Sequence, residues 1–268
     1  MNYSFNEKIL IMGILNVTPD SFYNNHDVLK NNKDNLRNLY IKSDIIDIGA
    51  ESTRPGAIPI EYQAELARLK TIFPFIKQFK NKIFSIDTYK PKIADYALQN
   101  GFNIINDISG ARDNKMFEIA LKHDCPIVIN HIQGNPLNMQ NNPKYKNIID
   151  ELLFYFDKKI NIAMKLGIDK KNIIIDPGIG FGKKLEDNNK IIYNLSKFKT
   201  FNLPILVGVS RKSMLSFNKD NPADRLPASL GMGAIALNNG ANILRVHDVY
   251  ETYKMVHVIS RFLKINNK

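Results

Sequence analysis

Two groups of side chains in this sequence have the types that hold or transform a ligand. The first is basic and hydroxylic: Ser210, Arg211 and Lys212 in VGVSRKS, with Arg245 and His247 in LRVHDV. Charge-assisted hydrogen bonds from such a group bind a di-anionic phosphate or diphosphate, and a helix starting after Ser210 would add free N–H groups that favour an anion. Taken singly, Arg211 or Lys212 reads equally well as an ordinary surface cation. The second group is Asp87, Asn106 and Asp176. Two carboxylates and an amide offer mostly acceptors, which suits a planar heterocycle rich in N–H donors. Paired carboxylates also serve as general acid and base or cap helices. Capping is the stronger rival for Asp87, which Thr88 and Pro91 follow, than for Asp176, where Pro177 and Gly178 turn the chain sharply.

Metal chemistry is narrowed by the same residue types. The five histidines show no H-E-x-x-H spacing and Cys125 is the single cysteine, so zinc is unsupported. Magnesium held mainly by substrate phosphates and one or two protein oxygens remains compatible with the sequence.

These residues lie far apart in the chain, and eight short apolar runs account for their positions: ILIMGIL (9–15), DIIDIGA (44–50), KIFSID (82–87), FNIINDI (102–108), PIVINHI (126–132), NIIIDPG (172–178), PILVGVS (204–210) and ANILRVH (241–247). Runs rich in Ile and Val without polar alternation are strands covered on both faces. Helical stretches separate most of them. PKIADYALQNG has Pro91 at its start and Gly101 past its end, and YKNIIDELLFYFDKKINIAMKLG has apolar residues three and four apart with Gly167 as its stop. Strand and helix alternating eight times predict an α/β fold of the (β/α)8 TIM-barrel type, with residues 1–268 as a single domain. An open doubly wound sheet should carry a glycine-rich turn after its first strand. GILNVTPDSF is not one, and DPGIGFGK fits neither the dinucleotide nor the P-loop spacing.

In a barrel the carboxyl ends of the strands share one face, where the active site lies. Those ends carry Asn16; Glu51, Thr53 and Arg54; Asp87; Asn106 and Asp107; Asn130 and His131; Asp176; Ser210, Arg211 and Lys212; and Arg245, His247 and Asp248. The loops after strands seven and eight frequently make the phosphate site, so the basic group falls where an anion is expected. NNHDVLKNNKDN (24–35), after the first strand, is a candidate lid.

The net charge of +11 is spread as scattered lysines among Asn and Ile, with no dense basic block, and does not call for a nucleic-acid partner. No apolar run approaches the roughly 20 residues of a membrane helix, and neither a signal segment nor a disulfide is expected. The chain reads as cytoplasmic.

The motifs GILNVTPDSF, DIGAESTRPGA, SIDTYKP, INDISG, IDPGIGFGK, VGVSRKS and LRVHDV occur in one order, and in this the chain resembles, over residues 9 to 263, the dihydropteroate synthases, the folate-pathway enzymes targeted by sulfonamides. The resemblance implies condensation of 6-hydroxymethyl-7,8-dihydropterin pyrophosphate with 4-aminobenzoate, yielding 7,8-dihydropteroate and pyrophosphate. Carried over by motif position, it implies Mg²⁺ at Asn16, with Asp87, Asn106, Asp176 and Lys212 on the pterin. Arg245 and His247, with Asn16, Thr53 and Arg54, would take the pyrophosphate; Arg54, Pro55, Phe181 and Ser210 would surround the aminobenzoate. Asn16, Asp87, Asp176, Lys212, Arg245 and His247 form the implied catalytic set, and a homodimer is the implied assembly.

The chain departs from the family pattern in four places. YNNH (23–26) replaces Ser-Asp-Gly-Gly, which alters the first loop. Asn130 stands where Met is common, Tyr89 replaces a small residue, and Ala50 replaces Gly; the last two read as neutral packing changes. Two rivals remain: a methyltetrahydrofolate methyltransferase-type barrel, which would have no pyrophosphate for the RVH and SRK cations, and a catalytically silent pterin-binding protein.

Overall fold

The computed structural model describes residues 5, 8–17, 33–79 and 81–266. Each apolar run contains a strand: β1 (Leu10–Asn16), β2 (Ile45–Gly49), β3 (Ile83–Asp87), β4 (Ile104–Asp107), β5 (Ile127–Asn130), β6 (Ile173–Asp176), β7 (Leu206–Val207) and β8 (Ile243–Val246). Hydrogen-bonded neighbours run parallel in the order β6-β5-β4-β3-β2-β1-β8-β7. A parallel bridge between Ile175 and Ile205 joins the two ends of this order. The expected (β/α)8 barrel is therefore the fold.

Around the sheet lie α1 (Lys33–Lys42), α2 (Tyr62–Lys70), α3 (Phe73–Gln78), α4 (Pro91–Gln99), α5 (Lys115–Lys122), α6 (Ile148–Lys165), α7 (Leu185–Tyr193), α8 (Leu226–Asn238) and α9 (Val249–Asn266). The two helices read from their punctuation end as expected. Pro91 is the first residue of α4, and Gly101 and Gly167 follow α4 and α6 at φ +100° and +99°, where a side chain is disfavoured. The Asn147 side chain caps α6 by accepting from Ile149 N at 3.2 Å.

A period of two along each strand sends alternate side chains to opposite faces. One set, which includes Ile46, Ile48, Phe84, Ile86, Ile105, Ile129, Ile175 and Leu244, packs outward against the helices in the main core. The other set comprises Leu10, Met12, Ile45, Ile104, Val128, Ile174, Leu206 and Ile243, with Phe5, and fills the barrel interior. Ile83 packs against this second set, so all eight strands contribute to it. Burying each of these aliphatic side chains contributes about 1.5–3 kcal/mol. The inner plug occupies the amino-terminal half of the barrel. Continuing the same parity toward the carboxyl ends gives Asn16, Asp47, Ser85, Asp87, Asn106, Asn130, Asp176, Gly208, Arg245 and His247. An apolar floor thus carries a polar ceiling.

Candidate active site

The acceptor wall comes from β2 to β6. Asp47, Asp87, Asn106, Asn130 and Asp176 are all buried, with relative exposures of 7% or less. Asn106 donates through Nδ2 to Asp47 Oδ2 at 3.0 Å. Arg245 reaches across from β8, donating Nε to Asp47 Oδ2 at 2.7 Å and Nη2 to Asp87 Oδ2 at 2.5 Å. One guanidinium is therefore shared by two buried carboxylates. Burial, with Asp47 beside it, pushes Asp87 up to about 7 against the opposing pull of Arg245. Asp87 caps no helix: α4 begins after Lys90 and has no side-chain cap.

Asp176 has two roles. Its Oδ1 accepts from Gly178 N at 2.7 Å, fixing the turn after β6. Burial raises its pKa, with Lys212 the largest opposing influence. Gly178 has φ +71°, and a Cβ there would lie 2.0 Å from His131 O, so glycine is required to fold this turn over β5. Asn130 donates to Ile108 O at 2.9 Å. Among the described residues, the buried side-chain atoms without a hydrogen-bond partner are Asp47 Oδ1, Ser85 Oγ, Asp87 Oδ1 and Asn130 Oδ1. All four belong to the inward-facing row. Leaving a buried acceptor unpaired costs about 1–3 kcal/mol, so the wall is built to receive donors.

The cation wall follows β7 and β8. Lys212 donates to Ile179 O, lies 4.6 Å from the centre of the Phe181 ring and is lowered to about 8 by burial. Ser210 Oγ accepts His247 N at 3.2 Å and faces His247 Nδ1 at 3.1 Å. In the tautomer whose Nδ1 accepts the Ser210 hydroxyl proton, Nε2–H is the imidazole's donor. Burial and the nearby cations Arg245 and Arg211 bring His247 down to about 4, so it is neutral at pH 7.

Arg211 does not join this wall. Its backbone is left-handed at φ +59°, and its guanidinium turns onto Asp248, with Nε to Oδ2 at 2.9 Å. The parity that turns Leu206 and Gly208 inward continues through Ser210 to Lys212, so Lys212 enters the site while Arg211 faces away from it. The helix expected after Ser210 is also missing. Two short 3₁₀ turns, Ser213–Leu215 and Pro222–Arg225, precede α8, so no α-helix terminus follows Ser210 to bind an anion.

Other strand-end residues have structural uses. Asp107 points outward and caps its own turn through Ser109 N at 2.7 Å and Ala111 N at 2.9 Å. His131 packs against Tyr155 with ring centres 4.8 Å apart, and burial beside Lys183 lowers it to about 2. Glu51 sits at the base of the loop that carries Thr53, Arg54 and Pro55, on which Arg54 and Pro55 are exposed. Arg54 is close enough for its charge to act on His247, which puts that loop over the cation wall. The altered YNNH segment and residues 24–32 of the expected lid lie outside the described residues.

Three contributors were missed in the sequence. Asp47 sits mid-strand in DIIDIGA, and its signal was a charge at an inward position of a doubly covered strand. Glu65, fully buried on α2, carries no motif. Lys183, 3% exposed, donates to Gly178 O at 2.8 Å, Phe181 O at 3.0 Å, His131 O at 3.1 Å and His131 Nδ1 at 3.0 Å. It staples the turn that presents Asp176 and Phe181. Tyr89 is no neutral packing change either, since its hydroxyl donates to Glu51 Oε1 at 2.7 Å.

Comparison with known proteins agrees with this geometry. The family model described as pterin binding enzyme matches residues 12–247. The dihydropteroate synthase of Escherichia coli (strain K12) is 41% identical over 258 residues, covering 94% of this chain and 91% of its own. The Yersinia pestis dihydropteroate synthase, solved in complex with a sulfonamide drug, superposes with a TM-score of 0.86 at 36% identity and covers 96% of this chain and 95% of its own. The Xanthomonas albilineans dihydropteroate synthase, solved with 4-aminobenzoic acid, also gives a TM-score of 0.86, at 32% identity, covering 96% of this chain and 94% of its own. By sequence and by fold, this chain belongs to the dihydropteroate synthase family of pterin-binding enzymes.

Proposed function

We propose that this one-domain barrel condenses 6-hydroxymethyl-7,8-dihydropterin pyrophosphate with 4-aminobenzoate, with the two walls of its interior dividing the first substrate between them. The observation that carries the reading is the row of buried acceptors on β2 to β6 facing the cations of β7 and β8. The pterin ring, rich in N–H donors, lies against Asp87, Asn106 and Asp176, with Asn130 Oδ1 a further acceptor and Lys212 the donor. The pyrophosphate takes Arg245, the Nε2–H of His247, Asn16 and, from the loop above, Thr53 and Arg54. The aminobenzoate lies among Arg54, Pro55, Phe181 and Ser210. The Ser210 hydroxyl is already engaged on His247, so Ser210 offers this substrate its backbone and Cβ.

Bond breaking follows from this division. The C–O bond at the pterin methylene breaks, and its electron pair leaves on the pyrophosphate, where fixed cations stabilise the developing charge. Asp87 and Asp176 stabilise the positive charge that spreads into the ring. The amine lone pair of the aminobenzoate then forms the C–N bond, and the nitrogen releases a proton. A neutral aromatic amine needs no strong base, consistent with His247, at about 4, being only a weak one and with the His131 ring packing against Tyr155.

Magnesium fits the donor set. Asn16 ends β1 at the carboxyl face of the barrel, where its amide oxygen would hold the ion while the substrate's diphosphate supplied most of the other ligands. Bound there, Mg²⁺ would neutralise charge on the leaving group.

Two further parts of the reading rest on composition and surface. LPASLGMGAIALN in α8 has no charged residue, and its solvent-facing Ala228, Gly231 and Ile235 form one stripe, which suits a homodimer contact. No helix among the described residues is long and apolar enough to cross a membrane.

The test is product formation. Purified protein given the pterin pyrophosphate, 4-aminobenzoate and Mg²⁺ should yield dihydropteroate and pyrophosphate, and a sulfonamide should compete with the aminobenzoate alone. Methyl transfer from methyltetrahydrofolate, or tight pterin binding without pyrophosphate release, would contradict the assignment.

A further inference from the structure

The loop 51–60 rises from β2 and carries Thr53, Arg54 and Pro55. Both of its ends meet on one carboxylate. Glu51 opens the loop and is 5% exposed, and its Oε1 accepts Ile60 N, at the loop's far end, at 2.9 Å. The same oxygen accepts Tyr89 Oη at 2.7 Å. Glu51 Oε2 takes Lys90 Nζ at 2.5 Å, and Lys90 bridges onward to the fully buried Glu65 at 2.6 Å. Thr88 closes the group by donating to Glu65 Oε1 at 2.7 Å. Two buried carboxylates thus share one ammonium, with hydroxyl donors on the remaining oxygens, which is the fully satisfied form of such a network.

The position of this network matters for the reaction. Thr88, Tyr89 and Lys90 directly follow Asp87, whose carboxylate stands on the acceptor wall. The clamp therefore fixes the loop that carries Arg54 to the strand that carries Asp87. On the opposite side, among the described residues, the loop is held through backbone by Gly56 N donating to Pro136 O at 2.9 Å.

We propose that Tyr89 is a positioning residue for the second substrate: by holding Glu51, it sets the height of the 51–60 loop over the site and so the fit of the aminobenzoate and of sulfonamides. Tyr89 touches neither substrate. Its hydroxyl works through Glu51 on Arg54 and Pro55. The inference rests on the reaction assigned above.

Tyr89→Phe keeps the ring and removes one bond of the clamp. Loss of one such hydrogen bond corresponds to about a three- to tenfold change in an equilibrium constant. The expected result with the full chain is a KM for 4-aminobenzoate raised by about that factor. The KM for the pterin pyrophosphate should rise less, because most of its partners lie on the barrel strands and not on this loop; kcat and Tm should stay near the parent's, and the backbone amides of residues 52–60 should exchange hydrogen faster. Glu51→Gln, which weakens the bonds to Lys90 and Tyr89 together, should give a larger shift in the same direction. An unchanged aminobenzoate KM in an active Tyr89→Phe enzyme would overturn the proposal. Parallel losses in both KM values, kcat and Tm would do the same, by making Tyr89 merely structural. A parent that forms no product would count against the assigned reaction instead, and amide exchange of residues 52–60 would still decide the clamp.

Discussion

At the scale of single residues, the site is an electrostatic compromise centred on Arg245. Its guanidinium neutralises Asp47 and Asp87 at 2.7 and 2.5 Å, so Arg245→Met should leave two buried carboxylates uncompensated. Breaking a buried pair costs about 3–5 kcal/mol. Without the opposing pull of Arg245, burial would hold Asp87 above its unfolded range near 4, so the folded state would bind more protons than the unfolded one and the variant's stability should fall as pH rises. Denaturant melts of parent and variant across acidic and neutral pH should diverge as pH increases; parallel curves would mean that Arg245 does not neutralise the pair. Ligand binding has its own pH signature. Donors on the pterin favour ionised Asp87, held at about 7, while the positive charge that strengthens the Lys212 hydrogen bond is lost above about 8. Pterin affinity measured by calorimetry should strengthen as pH rises through about 7 and weaken beyond about 8, and a flat profile would remove both groups from the binding step. Asp176, Lys212 and Arg245 were legible in the sequence because polar residues interrupt apolar runs there. Arg211 was misread because residue type was weighed there without strand parity, which turns it outward onto Asp248.

At the scale of elements, strand ends and their turns decide which polar side chains enter the site. All eight strands and the stops of α4 and α6 were readable from apolar runs and glycines, because local patterns specify them. The 3₁₀ turn after β7 was not, since whether a chain continues into a helix there depends on packing around Ser229, which accepts Arg211 N at 3.0 Å. Buried Lys183 was unreadable for a related reason: a lysine after GFG is an ordinary surface residue until three carbonyls converge on it. Lys183→Met should therefore loosen the β6–α7 turn without emptying the cation wall. Its predicted effect is weaker binding of pterin with little change for free pyrophosphate, and equal losses for both ligands would contradict the staple. Gly178→Ala should be more severe, because the added methyl carbon would meet His131 O at 2.0 Å at a φ of +71°. Thermal melting should show a clear loss of Tm, and a parent-like Tm would mean that the turn has another conformation open to it.

At the scale of the whole molecule, the barrel turns a one-dimensional alternation into a three-dimensional division. The inward parity that makes the apolar floor also brings acceptors from β2 to β6 opposite donors from β7 and β8, although Asp47 and Arg245 are separated by 198 positions in the chain. The apolar α8 stripe predicts a second, separate property: Ile235→Asp, at a residue that is 49% exposed, should shift a dimer toward monomer in sedimentation without unfolding the barrel, and an unchanged mass would exclude this face as the contact. The division itself is tested most directly by crossed calorimetric titrations of pterin and of pyrophosphate with Mg²⁺ into Asp176→Asn and His247→Ala proteins. Asp176→Asn should lose pterin affinity, because an acceptor-only carboxylate becomes a group with N–H donors, and should keep pyrophosphate affinity. His247→Ala should do the reverse. If each variant lost both ligands equally, or if the losses were exchanged, the account of two walls sharing one substrate would be contradicted.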